Sequence, residues 1–364
     1  MSAPRAHMPA LDGLRGLAIL VVVMHNATGI EAHATLAQKL WVFAVDAGWI
    51  GVQLFFVLSG FLITGILLDS RGKPRALRTF YARRSLRIFP LYYIFLIGRF
   101  LIVPLFVAAA VVPTSEQVGY WLYVSNWTDL LGTPIRGLSH FWSLAVEEQF
   151  YLIWPALALR LRLKTFAYVC GALAVIALGS RIGMRVSGVP DKWMYSASFA
   201  RMDGLVLGAL VAIAMRSERG REILHKVRIP AASIALAGLA AVMVYAHGLN
   251  RFEWVVQSIG YSLLAVLFAL LVAECASPAP TGWRAIFTNP ALRLVGRYSY
   301  AMYVFHLPVK FLLGDHLGDR LSGMNPLVAD VLFVGAVGAI SFALAAISFV
   351  VLERPINALK DRWT

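Results

Sequence analysis

A histidine, His25, closes a run of apolar and small residues, Gly16 to Met24, that follows Arg15. Ionisable side chains in hydrocarbon cost a few kcal/mol or more, and they face a bundle interior or a wet cavity. At about 1.5 Å per residue, Arg15 and His25 are roughly 15 Å apart along a helix axis, about half of a ~30 Å hydrocarbon layer. The spacing therefore predicts Arg15 near one interface and His25 towards mid-membrane. A charged donor would be held at the arginine, with chemistry at the imidazole.

Three further stretches carry groups of the same kind. In FYARRSLRIFPLYY, residues 80–93, Arg84 and Arg87 are three apart and share a helical face. Guanidinium groups grip phosphate oxygens bidentately, and they equally anchor a helix end on anionic lipid. Pro90 is expected to break or kink the helix there. In SHFWSLAVEEQFYLIWP, residues 139–155, Glu147 and Glu148 fall inside an apolar segment, with Glu147, Tyr151 and Trp154 on one side. Such a carboxylate acts as acid, base or partner of an imidazolium, or it forms a buried ion pair with an arginine such as Arg201. Trp142 and Ser143 precede it and join Tyr151 as candidates for substrate contact. His306 lies two residues before Pro308, where a neutral imidazole donating to a kinked-helix carbonyl is the plainer reading. His7, His33, His140, His225, His247 and His316 read as solvated. Ser59-Gly60 reads as a close-packing pair. His25, Glu147 and His306 have no metal-ligand spacing, and no metal is expected.

These residues need elements to hold them. The chain has 364 residues, 59% of them hydrophobic, and a mean hydropathy of +0.71. Apolar runs of around 20 residues recur throughout, so the expected fold is all-α: a polytopic membrane protein with about ten transmembrane helices around a central polar cavity. The spans read as 11–30, 48–69, 88–112, 141–159, 165–183, 198–215, 229–247, 254–274, 297–314 and 326–351; the sixth could be re-entrant. Most of the 33 Lys and Arg residues fall in every second connection, 70–87, 160–164, 216–228, 275–297 and the tail from 353, and Arg5 at the N-terminus joins them on that side. Lys39, Arg136, Arg181, Arg185, Lys192, Arg251 and Arg320 fall on the other side. The bias predicts cytoplasmic N- and C-termini. It also accounts for a net charge of +14 without nucleic acid. The stretch 113–140, with Trp121, Tyr123 and Trp127, is expected to lie along the interface or cover a cavity. Two cysteines, Cys170 and Cys275, are not expected to pair.

Taken together, the stretches resemble the acyltransferase 3 family of integral-membrane acyltransferases. The resembling pieces are LDGLRGLAILVVVMH, GVQLFFVLSGFLIT, FYARRSLRIFPLYY, HFWSLAVEEQFYLIWP, RMDGLVLGALVA, LVGRYSYAMYVFHLPV and ERPI, in family order over nearly the whole chain. The resemblance implies an O-acyltransferase of the bacterial inner membrane. It would move an acyl group, usually acetyl from cytoplasmic acetyl-CoA, to a hydroxyl of an extracytoplasmic glycan such as an O-antigen or exopolysaccharide repeat unit. Carried over, His25 matches the family's essential first-helix histidine and Arg15 the basic residue before it. Arg84 and Arg87 match the arginine pair, and Glu147 the glutamate of W-S-L-x-x-E. Some members append a soluble hydrolase-like domain; residues 1–364 read as one membrane domain without it. Polysaccharide-assembly proteins are possible partners.

The expected mechanism sets acetyl-CoA phosphates near Arg15, Arg84 and Arg87, and His25 as general base on the acceptor hydroxyl, with Asp12 or Glu147 orienting the imidazole. The alternative is His25 as covalent acyl carrier. A transporter or flippase for a lipid-linked glycan is the rival reading from another class. One departure from the family stands out. The family places ten residues between arginine and histidine; here nine intervene, which turns His25 about 80° away from Arg15 on an ideal helix and gives Asn26 the family phase. Either this helix is locally unwound, or Arg15 reaches the donor from a different angle, or the strict spacing does not matter.

Overall fold

The computed structural model describes residues 8–29, 35–277, 282–321 and 323–359. Arg5, His7, His33 and the last residues of the basic tail lie outside the described residues. Among the described residues there are helices and no strands.

Eleven helices organise the chain. They are α1 (Pro9–Ala27), α2 (Leu36–Asp46), α3 (Ile50–Asp69), α4 (Ala76–Ile97), α5 (Phe141–Arg160), α6 (Leu163–Val186), α7 (Met202–Ala214), α8 (Glu218–Tyr245), α9 (Tyr261–Ala276), α10 (Pro290–Leu321) and α11 (Pro326–Ser348). Local chemistry sets several ends. Pro9 opens α1, where its fixed φ suits the helix and its missing N–H costs nothing. Thr35 and Gln38 close a capping box at the start of α2.

Each of the ten expected spans coincides with a helical segment, but length and composition support seven membrane-crossing candidates. α2 and α3 run together as one of these, Leu36–Asp69. Three segments fall short for visible reasons. α5 carries Glu147 and Glu148, and α10 carries Arg293, Arg297 and Lys310. α7 has 13 residues, or about 20 Å, against a layer of about 30 Å.

α3 is the centre. It is apolar on nearly every side, and 14 of its 20 residues are buried. It packs on α1, α5, α7 and α9. α8 is the opposite case: only Ala235 and Val242 of its 28 residues are buried, as befits a helix that faces lipid. Several helix pairs touch backbone to backbone. A Cβ on Gly296 of α10 would strike the Asp12 carbonyl of α1, and one on Gly60 of α3 would strike the Leu205 carbonyl of α7. Without a hydrophobic force between helices in lipid, such close van der Waals contact does the joining. The packing reading of Gly60 therefore holds.

Several expectations change. The basic connections at 76–87 and 218–228 are helical, not loop. α4 runs unbroken through Pro90, and a π-helical turn follows at Gly98–Ile102. Arg181 is not a loop charge. It is fully buried and pairs with Asp203 at 2.7 Å, while its guanidinium also donates to the Ser258 carbonyl and the Ser262 hydroxyl. Both cysteines are free and buried.

Candidate active site

Three adjoining cavities run through the bundle. The first, of about 610 Å³, is basic: Arg15 from α1, Arg87 from α4, and Arg293 and Arg297 from α10 line it, with Asp12 and Glu353 as its acids. The second, of about 170 Å³, is central and shares Arg15, Arg87 and Tyr300 with the first. Arg84, Ser59, Ser143, Glu147 and Glu148 complete its polar lining. The third, of about 240 Å³, meets the second at Val52 and Tyr303 and is rich in aromatic rings. The sequence-predicted Arg15, Arg84, Arg87, Ser143 and Glu147 thus converge on the central cavity, Asp12 lies on the basic one and Trp142 on the aromatic one.

Helical periodicity explains the central constellation. On α5, Glu147, Tyr151 and Trp154 all turn to α3. The Ser59 hydroxyl donates to Glu147 Oε1 at 2.5 Å, the Tyr151 hydroxyl donates to Ser59 Oγ at 3.0 Å, and Trp154 Nε1 donates to Thr64 at 2.7 Å. The Arg84 guanidinium lies 3.9 Å from the centre of the Tyr151 ring, and its Nε is buried with no hydrogen-bond partner. A buried guanidinium donor without a protein partner is costly and suits an oxyanion. Ser143 is held apart: its Oγ lies 2.5 Å from the Tyr303 hydroxyl, and both reach the His140 carbonyl.

His25 is not part of this cavity. α1 is continuously helical to Ala27, so there is no unwinding, and His25 falls in its last turn rather than midway along it. Its Nδ1 donates to the Val45 carbonyl at 3.0 Å, and Arg251 Nη1 donates to its Nε2 at 2.6 Å. Neither Asp12 nor Glu147, the expected orienting carboxylates, touches it. Asn26 keeps the phase of Arg15 instead: it lines the aromatic cavity, with Nδ2 3.2 Å from His306 Nε2. His306 donates from Nδ1 to the Tyr303 carbonyl at 2.7 Å, as the plainer reading has it. Among the described residues no three His, Cys, Asp or Glu side chains group as metal ligands.

Several residues of the site were not singled out. His140 is buried, not solvated; both ring nitrogens lack a partner, and its ring lies 4.7 Å from that of His306. Ser59 passed for packing because one hydroxyl beside a glycine carries no signal of a carboxylate from α5. Arg201 does not pair with Glu147. It is fully buried, without a hydrogen-bond partner, inside the rings of Phe56, Trp142, Tyr195 and Tyr261, the last 4.1 Å away. The stretch 113–140 does cover a cavity: Asp129, Leu130, Pro134 and Ser139 wall the aromatic one. Burial pushes the Asp129 carboxyl up to about 6, partly offset by the Tyr120 hydroxyl that donates to it.

Comparison with known proteins adds a second kind of observation. The family model described as "Acyltransferase domain" matches residues 8–350. Peptidoglycan O-acetyltransferase OatA of Listeria monocytogenes is 28% identical over 97% of this chain and 56% of its own length. A putative peptidoglycan O-acetyltransferase, YrhL of Bacillus subtilis, is 27% identical over 96% and 55%. O-acetyltransferase OatA of Staphylococcus aureus is 25% identical over 98% and 58%. The chain thus spans rather more than half the length of these relatives. No solved structure matches it.

Proposed function

The chain belongs to the acyltransferase 3 family, and from that premise we propose that it is a membrane O-acetyltransferase acting on a glycan, with acetyl-CoA as the donor. The observation that carries the donor half is the convergence of Arg15, Arg84 and Arg87, from two helices, with Glu147 on one cavity. Arginine clusters suit the phosphates of a coenzyme A thioester because each guanidinium forms paired, charge-assisted bonds. Arg293 and Arg297 extend the cluster into the basic cavity, so the phosphates sit there and the pantetheine arm reaches inward past Arg84. With the arginine-rich connections facing the cytoplasm of a bacterial inner membrane, the donor enters from inside and the acceptor reaches the aromatic cavity from outside.

His25 is the base on the acceptor hydroxyl or the acyl carrier. The Val45 carbonyl fixes the tautomer that leaves Nε2 as the basic nitrogen. Glu147, oriented by Ser59, acts on the transferred group and not as the partner of His25. The acceptor is a cell-envelope saccharide: an O-antigen or exopolysaccharide repeat unit, or peptidoglycan as the relatives' names suggest.

The test is transfer of label from acetyl-CoA to glycan by purified protein. His25→Ala is expected to abolish it, and Arg87→Ala to raise KM for acetyl-CoA about tenfold, the loss of a charge-assisted bond worth about 1.5 kcal/mol or more. Full transfer by His25→Ala overturns the role of His25. Glycan that crosses the membrane without label identifies a flippase.

A further inference from the structure

The aromatic cavity brings rings of Trp142, Tyr195 and Phe252 together with Asp129, Lys192 and Arg251. Flat ring faces beside hydroxyl-binding polar groups are the lining a sugar takes, since pyranose faces are apolar and their edges polar. The pocket is unusual in its charge. Among the described residues, neither Lys192 nor Arg251 has a carboxylate within ion-pairing distance.

Arg251 has another occupation. Its Nη1 donates to Nε2 of His25 at 2.6 Å. A guanidinium is permanently charged and has no acceptor, so it uses up the one lone pair through which this imidazole takes a proton. It also opposes the imidazolium that proton transfer would create. The backbone behind it is pinned: the Tyr261 hydroxyl donates to the Arg251 carbonyl at 2.7 Å, and Trp49 Nε1 donates to the Leu249 carbonyl at 2.7 Å. The guanidinium itself lies 5.4 Å and 5.0 Å from the ring centres of Tyr195 and Phe252, two walls of the cavity. A side-chain rotation, with no loop movement, carries it from His25 to a ligand seated between those rings.

We propose that the aromatic cavity is the binding site for an anionic saccharide, and that its carboxylate or phosphate draws Arg251 away from His25 and so frees the base. This rests on the reading of the chain as a glycan acyltransferase. A bidentate oxyanion is a better partner for guanidinium than a single imidazole nitrogen, so a charged acceptor supplies both the site's occupant and its switch. A neutral sugar fills the cavity and leaves Nε2 capped. Arg251 is here a positioning residue, acting through His25.

The test reads the free lone pair directly. Diethyl pyrocarbonate acylates unprotonated, unblocked imidazole nitrogens, and mass spectrometry of the His25 peptide gives the rate. Exposed His316 in the same sample serves as the reference for reagent dose, and buried His306, which becomes reactive on unfolding, as the reference for intact folding. In wild-type protein in detergent, His25 is expected to react slowly, to react at least several-fold faster with glucuronate, and to be unaffected by glucose. Arg251→Met is expected to react about tenfold faster without any sugar and to show no response to glucuronate; Arg251→Lys falls between. Equal rates in wild type and Arg251→Met overturn the cap. A wild-type rate that ignores glucuronate, or that answers glucose equally, overturns the anionic site. Neither readout uses acetyl-CoA. Loss of labelled transfer with these rates as expected removes the enzymatic reading, and the reverse removes only the switch.

Discussion

Ser59 and Asp129 show how single residues acquire their chemistry from what surrounds them. The Ser59 hydroxyl gives its one proton to Glu147 and receives that of Tyr151, so it orients a carboxylate in the central cavity. A hydrogen bond to a charged group contributes about 1.5–3 kcal/mol. Ser59→Ala is therefore expected to lower kcat for acetyl transfer about tenfold or more while melting close to wild type, because only one small hydroxyl is lost. Asp129 carries a pH signature. Its folded carboxyl stands at about 6 against an ordinary 3.8, because burial favours the neutral form. A raised carboxyl contributes stability that is full below the ordinary value and is lost as pH rises through about 6. Asp129→Asn should flatten the fall in melting temperature between pH 5 and pH 7.5, gaining on the order of 1–2 kcal/mol at the upper end. A slope unchanged by the substitution would exclude Asp129 as its source.

At the scale of elements, α6, α7 and the π-helical turn at Val256–Gly260 are tied by one buried pair. Arg181 and Asp203 are 0% and 1% exposed in their side chains. Arg181 also donates to the Ala200 and Ser258 carbonyls, and Asp203 accepts from Ser262. Removing one partner strands the other charge in a low-dielectric interior, at a cost of about 3–5 kcal/mol. Asp203→Asn is expected to lower thermal stability by that amount, measured by melting in detergent; a change under 1 kcal/mol would mean that the pair is solvated. α1 is the other element with a decisive property. It is a regular helix from Pro9 to Ala27, and regularity alone sends Arg15 and Asn26 along the cavities and His25 sideways to Arg251. The nine-residue separation of Arg15 and His25 is thus expressed as a rotation about a regular helix and not absorbed by a bulge.

Across the whole molecule, the cavities set a direction: arginines at one end, aromatic rings at the other, Glu147 between. Thiol labelling tests it. With Cys170 and Cys275 replaced, Arg293→Cys should react with an impermeant reagent only from the cytoplasm and Lys192→Cys only from outside; labelling from the same side would refute the orientation. The sequence by itself determined the helical membrane class, the positions of the ten helical segments and the shared face of Arg84 with Arg87, because apolar run length and helical periodicity are local properties. It also determined that Glu147, Tyr151 and Trp154 turn one way. Only the tertiary structure decided what they meet. Ser59 on α3, Arg251 against His25, the burial of Arg181 and His140, and the separation of His25 from Glu147 depend on contacts between residues up to 226 positions apart. No spacing rule reaches that far: an arginine in a connection and an arginine on the His25 imidazole look the same in sequence, and differ only in which helix the fold sets beside them.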